Sequence, residues 1–141
     1  MKYVLDSCVA LKWYLPEADS AQALQLRSNF LSALDELLAP DILPVECAHG
    51  LTRAERQGII PIGDADTHLV QLLRVGVPLH PYHLLLRRAV AISSAARIGV
   101  YDCLYVALAE REKCELVTAD NKLIKALQKQ FPFIKSLASI P

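Results

Sequence analysis

Two short apolar runs, Tyr3-Val4-Leu5 and Leu116-Val117-Thr118-Ala119, each stop at an aspartate, Asp6 and Asp120. Runs this short read as strands buried on both faces rather than as helices. Stretches in which apolar residues recur at helical spacing separate nearly every such run. This alternation confines the chain to the α/β class: a mostly parallel central sheet covered by helices on both faces.

Lys2 to Asp6 is predicted as the first strand, followed by a short helix through Leu15 that Pro16 stops. From Asp19, the positions Ala23, Leu26, Phe30, Leu34 and Leu37 keep helical spacing, with Asp19 or Ser20 as N-cap. Asp41 to Gln57 reads as a helix with Pro44 tolerated in its first turn and Gly58 suited to its C-terminal cap. Asp64 is expected to cap a helix ending near Gly76, and Val77 to Leu79 to form a short strand between prolines. Further helices are expected over Leu84 to Ile98, Tyr101 to Lys113 and Asn121 to Gln130, with strands at Glu115 to Thr118 and Ile134 to Leu137. With 141 residues, no repeats and no linker, the expectation is one domain over residues 1–141.

A hydrophobic fraction of 53% leaves apolar surface for another subunit or partner to cover. Lys and Arg balance Asp and Glu at 15 each, so no global field advertises nucleic-acid binding. Locally, residues 67–101 hold Arg74, Arg87, Arg88 and Arg97 without one acid, and the tail after Asn121 is equally free of acids. Asp6 and Lys12 interrupt any N-terminal signal, and Arg97, Gly99 and Asp102 interrupt the most apolar long window, which argues against a membrane span. Cys8, Cys47, Cys103 and Cys114 lack the paired spacing of a structural zinc site, so a cytoplasmic chain with reduced cysteines is expected.

Four acids carry the chemistry. Asp6 and Asp120 end strands, Glu46 follows Pro44-Val45, and Asp102 precedes seven uncharged residues, Cys103 to Ala109. A carboxylate in an apolar setting is costly unless it is paired, hydrogen-bonded or holding a cation. In a strand-then-helix fold, strand ends and helix starts share one edge of the sheet, where ligands bind. The four acids can therefore converge. Two carboxylates about 4 Å apart repel by roughly 4 kcal/mol at an effective dielectric near 20, so such a cluster calls for protons or a divalent cation. Hard oxygen donors select magnesium or manganese, which suits hydrolysis of a phosphodiester. Taken one at a time, Asp6 and Asp120 could simply cap helices, and Glu46 and Asp102 could be ordinary first-turn acids. The chain has no glycine-rich phosphate loop and no Gly-x-Ser-x-Gly or His-Glu-x-x-His motif.

In these blocks, Val4-Leu5-Asp6-Ser7-Cys8-Val9-Ala10-Leu11-Lys12-Trp13, Pro40 with Glu46, Tyr101-Asp102-Cys103-Leu104-Tyr105-Val106-Ala107-Leu108-Ala109 and Leu116-Val117-Thr118-Ala119-Asp120-Asn121-Lys122-Leu123, the chain resembles a PIN-domain ribonuclease. The likeness is to a VapC-type toxin of a toxin–antitoxin pair and extends over nearly the whole length. It implies a PIN-like α/β/α sandwich, RNA cleavage dependent on Mg2+ or Mn2+, and a cognate antitoxin. The catalytic, metal-holding acids map to Asp6, Glu46, Asp102 and Asp120, and Ser7, Thr118 and His49 to residues that support them. Cys8 stands where the family usually has serine, threonine or asparagine, which weakens a hydrogen bond to Asp6. His49 stands where asparagine is common.

The competing class is a non-catalytic PIN-like module that binds RNA or protein, against which the full set of acids argues. A response-regulator phosphoacceptor needs paired acids after its first strand, and a haloacid-dehalogenase-type phosphatase needs Asp-x-Asp; Ser7 and Cys8 follow Asp6 instead. Arg87, Arg88 and Arg97 are candidates for contacting RNA phosphates, but the sequence does not single one out. The apolar excess leads us to expect a homodimer, and an apolar groove around Trp13, Tyr14 and Leu15 that takes an antitoxin segment.

Overall fold

The computed structural model describes all residues, 1–141. Five strands, β1 (Lys2–Leu5), β2 (Glu36–Pro40), β3 (Leu79–His80), β4 (Glu115–Thr118) and β5 (Ile134–Ser136), form one sheet in the order β3-β2-β1-β4-β5. Every pairing is parallel, with Tyr3 opposite both Leu37 and Glu115. Seven helices flank the sheet: α1 (Ser7–Leu11), α2 (Ser20–Leu31), α3 (Leu43–Arg56), α4 (Asp64–Val75), α5 (Leu86–Ala96), α6 (Val100–Glu112) and α7 (Asn121–Leu127). The result is the expected α/β/α sandwich. Tyr3, Val4 and Leu5 are all buried, because a parallel strand with helices on both sides has no solvent face.

The strand order decides where a site can form. The chain lays down β1, β2 and β3 outward on one side, then returns through α5 and α6 to place β4 on the other side of β1. The order therefore reverses between β1 and β4, and the connections leaving their carboxyl ends part to open a crevice there. Helix α6 packs on β1, β2 and β4 and beneath α5, so Cys103 to Ala109 are buried on every side. This explains its lack of an amphipathic pattern. No single helix is long and apolar enough to cross a membrane.

One element departs from the sequence reading. The helix expected to run from Asp19 through Leu34 to Leu37 ends at Leu31, and Glu36–Pro40 is the strand β2 instead. Ala33 turns the chain with φ 58° and Leu34 is exposed. The helical spacing of Leu34 and Leu37 was coincidental. The unbroken run Leu37-Leu38-Ala39, buried throughout, is the signature of a central parallel strand.

Smaller departures follow from local chemistry. The edge strand pairs Ala39 with Leu79 and Pro40 with His80, placing it at Leu79–His80 rather than Val77–Leu79. Asp64 is the first helical residue of α4, not its cap. Gly63 holds the N-cap position at φ 98°, and the Glu55 carboxylate accepts from the N–H groups of Gly63 and Ala65 at 2.7 and 2.9 Å. Asp19 occupies the N-cap position of α2 without a side-chain hydrogen bond. Arg97, in the left-handed region, closes α5 two residues before Gly99.

Candidate active site

Asp6 leaves the carboxyl end of β1 and is only 4% exposed. It stands at the N-cap position of α1, yet its carboxylate caps nothing; Oδ2 accepts from the Thr118 hydroxyl at 2.7 Å. The same Thr118 oxygen accepts from the Asp120 backbone N–H at 3.0 Å. One buried hydroxyl on β4 thus fixes the carboxylate at the end of β1 and the backbone of the next acid. Asp120 does cap α7, with Oδ1 accepting from the N–H groups of Lys122 and Leu123 at 2.9 and 3.3 Å. Capping occupies Oδ1; no side-chain bond is made to Oδ2.

Glu46 is in the first turn of α3, and its Oε1 accepts a 2.6 Å hydrogen bond from the Tyr105 hydroxyl. Tyr105 is fully buried one turn after Asp102 on α6, so the helix carrying one acid anchors another. Burial, with Glu46 and Asp6 nearby, drives the Tyr105 phenol far above its usual range and keeps it a donor. Helix α3 reaches α1 closely because residue 50 is glycine: a Cβ there would meet Leu11 Cδ1 at 2.6 Å. This packing sets Glu46 beside Ser7.

The electrostatics tie the four acids together. Burial raises the Asp6 pKa from 3.8 to about 6, and repulsion from Asp102 and Glu46 adds to it against the hydrogen bonds from Thr118 and Cys8. Burial raises Asp102 to about 6 as well, assisted by Asp120 and Glu46. None of the five ion pairs in the molecule involves any of the four. The structure therefore brings Asp6, Glu46, Asp102 and Asp120 within electrostatic reach of one another and supplies no lysine or arginine to balance them.

The donor set suits a hard divalent cation. No three of the acidic, histidine or cysteine side chains come close enough to enclose an ion unaided. That is compatible with magnesium, which keeps several waters and takes only one or two carboxylates plus substrate phosphate. Burial pushes the Cys47 thiol up to about 12 and the Cys8 thiol higher still, and soft sulfur is in any case a poor donor for a hard divalent cation. The Cys8 sulfur instead accepts from the Ala119 N–H at 3.4 Å and lies 3.6 Å from the Thr118 hydroxyl.

Ser7 and His49 line a cavity of about 560 Å³ together with Glu46, Gly50, Arg53 and Tyr101. His49 is exposed and forms no ion pair with a carboxylate. Of the basic candidates, Arg88 is held in a two-pronged pair with Glu110 at 2.7 and 3.0 Å, and Arg97 is exposed at the left-handed turn that closes α5. Arg87 borders a shallow groove with Leu86, Val90 and Ala91, away from the acids. Sequence reasoning passed over Tyr105, Arg53 and Tyr101. The signal was present: Arg53 follows Glu46 by seven residues and Tyr105 follows Asp102 by three, each on a shared helix face.

The family model of the PIN domain matches residues 3–129. Ribonuclease VapC3 of Pyrobaculum aerophilum is 32% identical over 125 residues, 87% of this chain and 92% of that protein. Ribonuclease VapC9 of Mycobacterium tuberculosis is 33% identical over 129 residues, 92% and 94% of the two. In fold, the chain is similar to PAE2754 from Pyrobaculum aerophilum, with a TM-score of 0.68, 20% identity and coverage of 99% and 94%. It is also similar to a chain of a toxin–antitoxin complex from Klebsiella pneumoniae, with a TM-score of 0.67, 15% identity and coverage of 98% and 99%.

Proposed function

Because this chain belongs to the PIN-domain family, we propose that it is a metal-dependent endoribonuclease and the toxin of a toxin–antitoxin pair. The observation that carries this reading is the convergence of four carboxylates, unbalanced by any basic side chain, on the crevice between β1 and β4. Asp6, Asp102 and Asp120 would hold Mg2+ or Mn2+, one or two of them directly and the rest through the ion's own waters, with Glu46 as a further ligand or as the group that orients water. When bound, the ion lowers the pKa of a water and stabilises the leaving oxygen of the phosphodiester.

The protein's own part is positioning. Thr118 keeps Asp6 Oδ2 turned to a fixed direction, and the capping bonds of α7 do the same for Asp120 Oδ1. Tyr105 holds Oε1 of Glu46, leaving Oε2 to accept a hydrogen bond from the attacking water. Burial of Asp6 keeps bulk water away from one side of the crevice, which strengthens every charge interaction within it.

Cleavage of total RNA by purified wild-type and Asp102→Asn protein, with magnesium, with manganese and with chelator, tests this reading. Metal-dependent cutting lost in the variant is the expected result. RNA binding by a folded, antitoxin-free protein that cuts nothing would favour the non-catalytic module.

The partner reading extends to the groove. Trp13, Tyr14, Arg27, Leu31, His68 and Val75 line a second cavity of about 560 Å³, in which Tyr14 and His68 stack with centroids 5.1 Å apart. The buried Tyr14 hydroxyl has no hydrogen-bond partner within the chain. Leu15 does not line this groove; it packs with Leu51, Ala54, Ile60 and Ala65 in a small satellite core. An antitoxin segment carrying an acceptor for Tyr14 fits this groove. A homodimer accounts for exposed Leu73, Leu84 and Val90, and sedimentation across micromolar concentrations tests it: a monomer throughout would overturn it.

A further inference from the structure

We propose that two clefts meeting at Arg53 form a single track for one RNA strand, in which Arg53 and Lys12 hold backbone phosphates and Tyr101 stacks on an unpaired base beside the acids. This inference rests on the nuclease reading and assigns the RNA contacts which that reading leaves open.

The first cleft is the cavity that holds Glu46, Ser7 and Tyr101. The second, of about 390 Å³, is lined by Cys8, Lys12, Glu17, Gln57 and Ala119. Leu11, Gly50 and Arg53 belong to both, so the clefts adjoin along α3; Glu46 lines the first, and Ala119, next to Asp120 in sequence, lines the second. At the junction the Gly50 backbone packs directly on the Leu11 side chain, so α1 and α3 form a continuous floor beneath both clefts.

Along this track the basic groups are free. Arg53 is exposed in the last turn of α3, and neither it nor Lys12 takes part in any ion pair. Seven helical residues separate Arg53 from Glu46, about 10 Å along the axis. Arg53 is therefore too far along the helix to serve the phosphate at the acids and is placed for a neighbouring one. Phosphate contact of this kind fixes register without reading sequence.

Tyr101 supplies the other contact. It immediately precedes Asp102, is 61% exposed, and its ring meets no other aromatic ring in the chain. A large aromatic held in solvent next to the acids is a platform for a base, and only an unpaired base can reach it. Arg87, Arg88 and Arg97 line neither cleft.

The test is fluorescence anisotropy of a labelled single-stranded oligoribonucleotide and its duplex with the full chain in chelator, across salt, followed by steady-state cleavage with magnesium. Tyr101→Ala should weaken single-strand binding about tenfold or more without changing the salt slope, and Tyr101→Phe should restore it. Arg53→Ala should weaken binding and flatten the log–log salt slope by about 0.7, with Arg53→Lys recovering the slope. In cleavage, KM should rise for Tyr101→Ala and Arg53→Ala while kcat holds. Wild-type-like binding and KM in both alanine variants, in a protein that still cuts RNA, would overturn the track alone. A wild-type protein that neither binds nor cuts RNA would overturn the nuclease reading and the track with it.

Discussion

Asp6→Asn should make the metal-free protein more stable while abolishing its catalytic use of that carboxylate. The amide oxygen introduced by the substitution can still accept from Thr118, so the variant removes the charge and little else. The difference between 3.8 and about 6 corresponds to about 3 kcal/mol, the cost of ionising Asp6 in the folded chain without a cation. Because the folded pKa lies above the unfolded one, protonated Asp6 favours the fold below pH 3.8, and that contribution is lost as pH rises through about 6. At about 3 °C per kcal/mol for a chain of this length, the variant should melt up to about 9 °C above wild type at pH 7.5 in chelator. The gap should close as pH falls toward 4. Millimolar magnesium should narrow it at pH 7.5, since a cation bound by the folded wild type stabilises it by mass action. Thermal melts of both proteins between pH 4 and 7.5, with and without magnesium, measure all three. A variant less stable than wild type at pH 7.5 in chelator, or a gap unchanged with pH, would refute the reasoning that burial leaves Asp6 an uncompensated charge.

Thr118→Val should cost about 1–3 kcal/mol of stability, because it removes one bond to Asp6 and leaves the Asp120 N–H unpaired. It should also move the Asp6 pKa above about 6, which carboxyl NMR titration of the metal-free protein would follow. Tyr105→Phe should lower kcat for RNA cleavage about tenfold or more by freeing Glu46, while the melting temperature changes little. Glu55→Ala should destabilise the protein by about 1 kcal/mol through lost capping of α4, with cleavage per folded molecule unchanged.

Much of the site was legible because its signals are local. An acid that terminates an apolar run is readable from the run itself, which is how Asp6 and Asp120 stood out. The spacing of Thr118 two residues before Asp120 is equally local, although only the folded chain turns its hydroxyl onto Asp6 across two strands. Strand β2 was hidden for the opposite reason. Leu34 and Leu37 satisfy helical periodicity, and no residue between them forbids a helix; burial of Leu37, Leu38 and Ala39 on both faces exists only once β1 and β3 lie alongside. Arg87, Arg88 and Arg97 looked like an RNA face because acids are absent around them in sequence. In the fold Glu110, far along the chain, takes Arg88, while Arg53, with Glu55 only two residues away in sequence, stands unpaired between the clefts.

The sequence by itself determined the α/β class and the acids that matter, because periodicity and isolated charge are properties of neighbours along the chain. Tertiary structure alone decided the strand order, the crevice between β1 and β4, and the raised pKa values of Asp6 and Asp102. It also decided which basic residues remain free. Those properties depend on distance and burial, and both are set by elements that come together only when the sheet closes over α6.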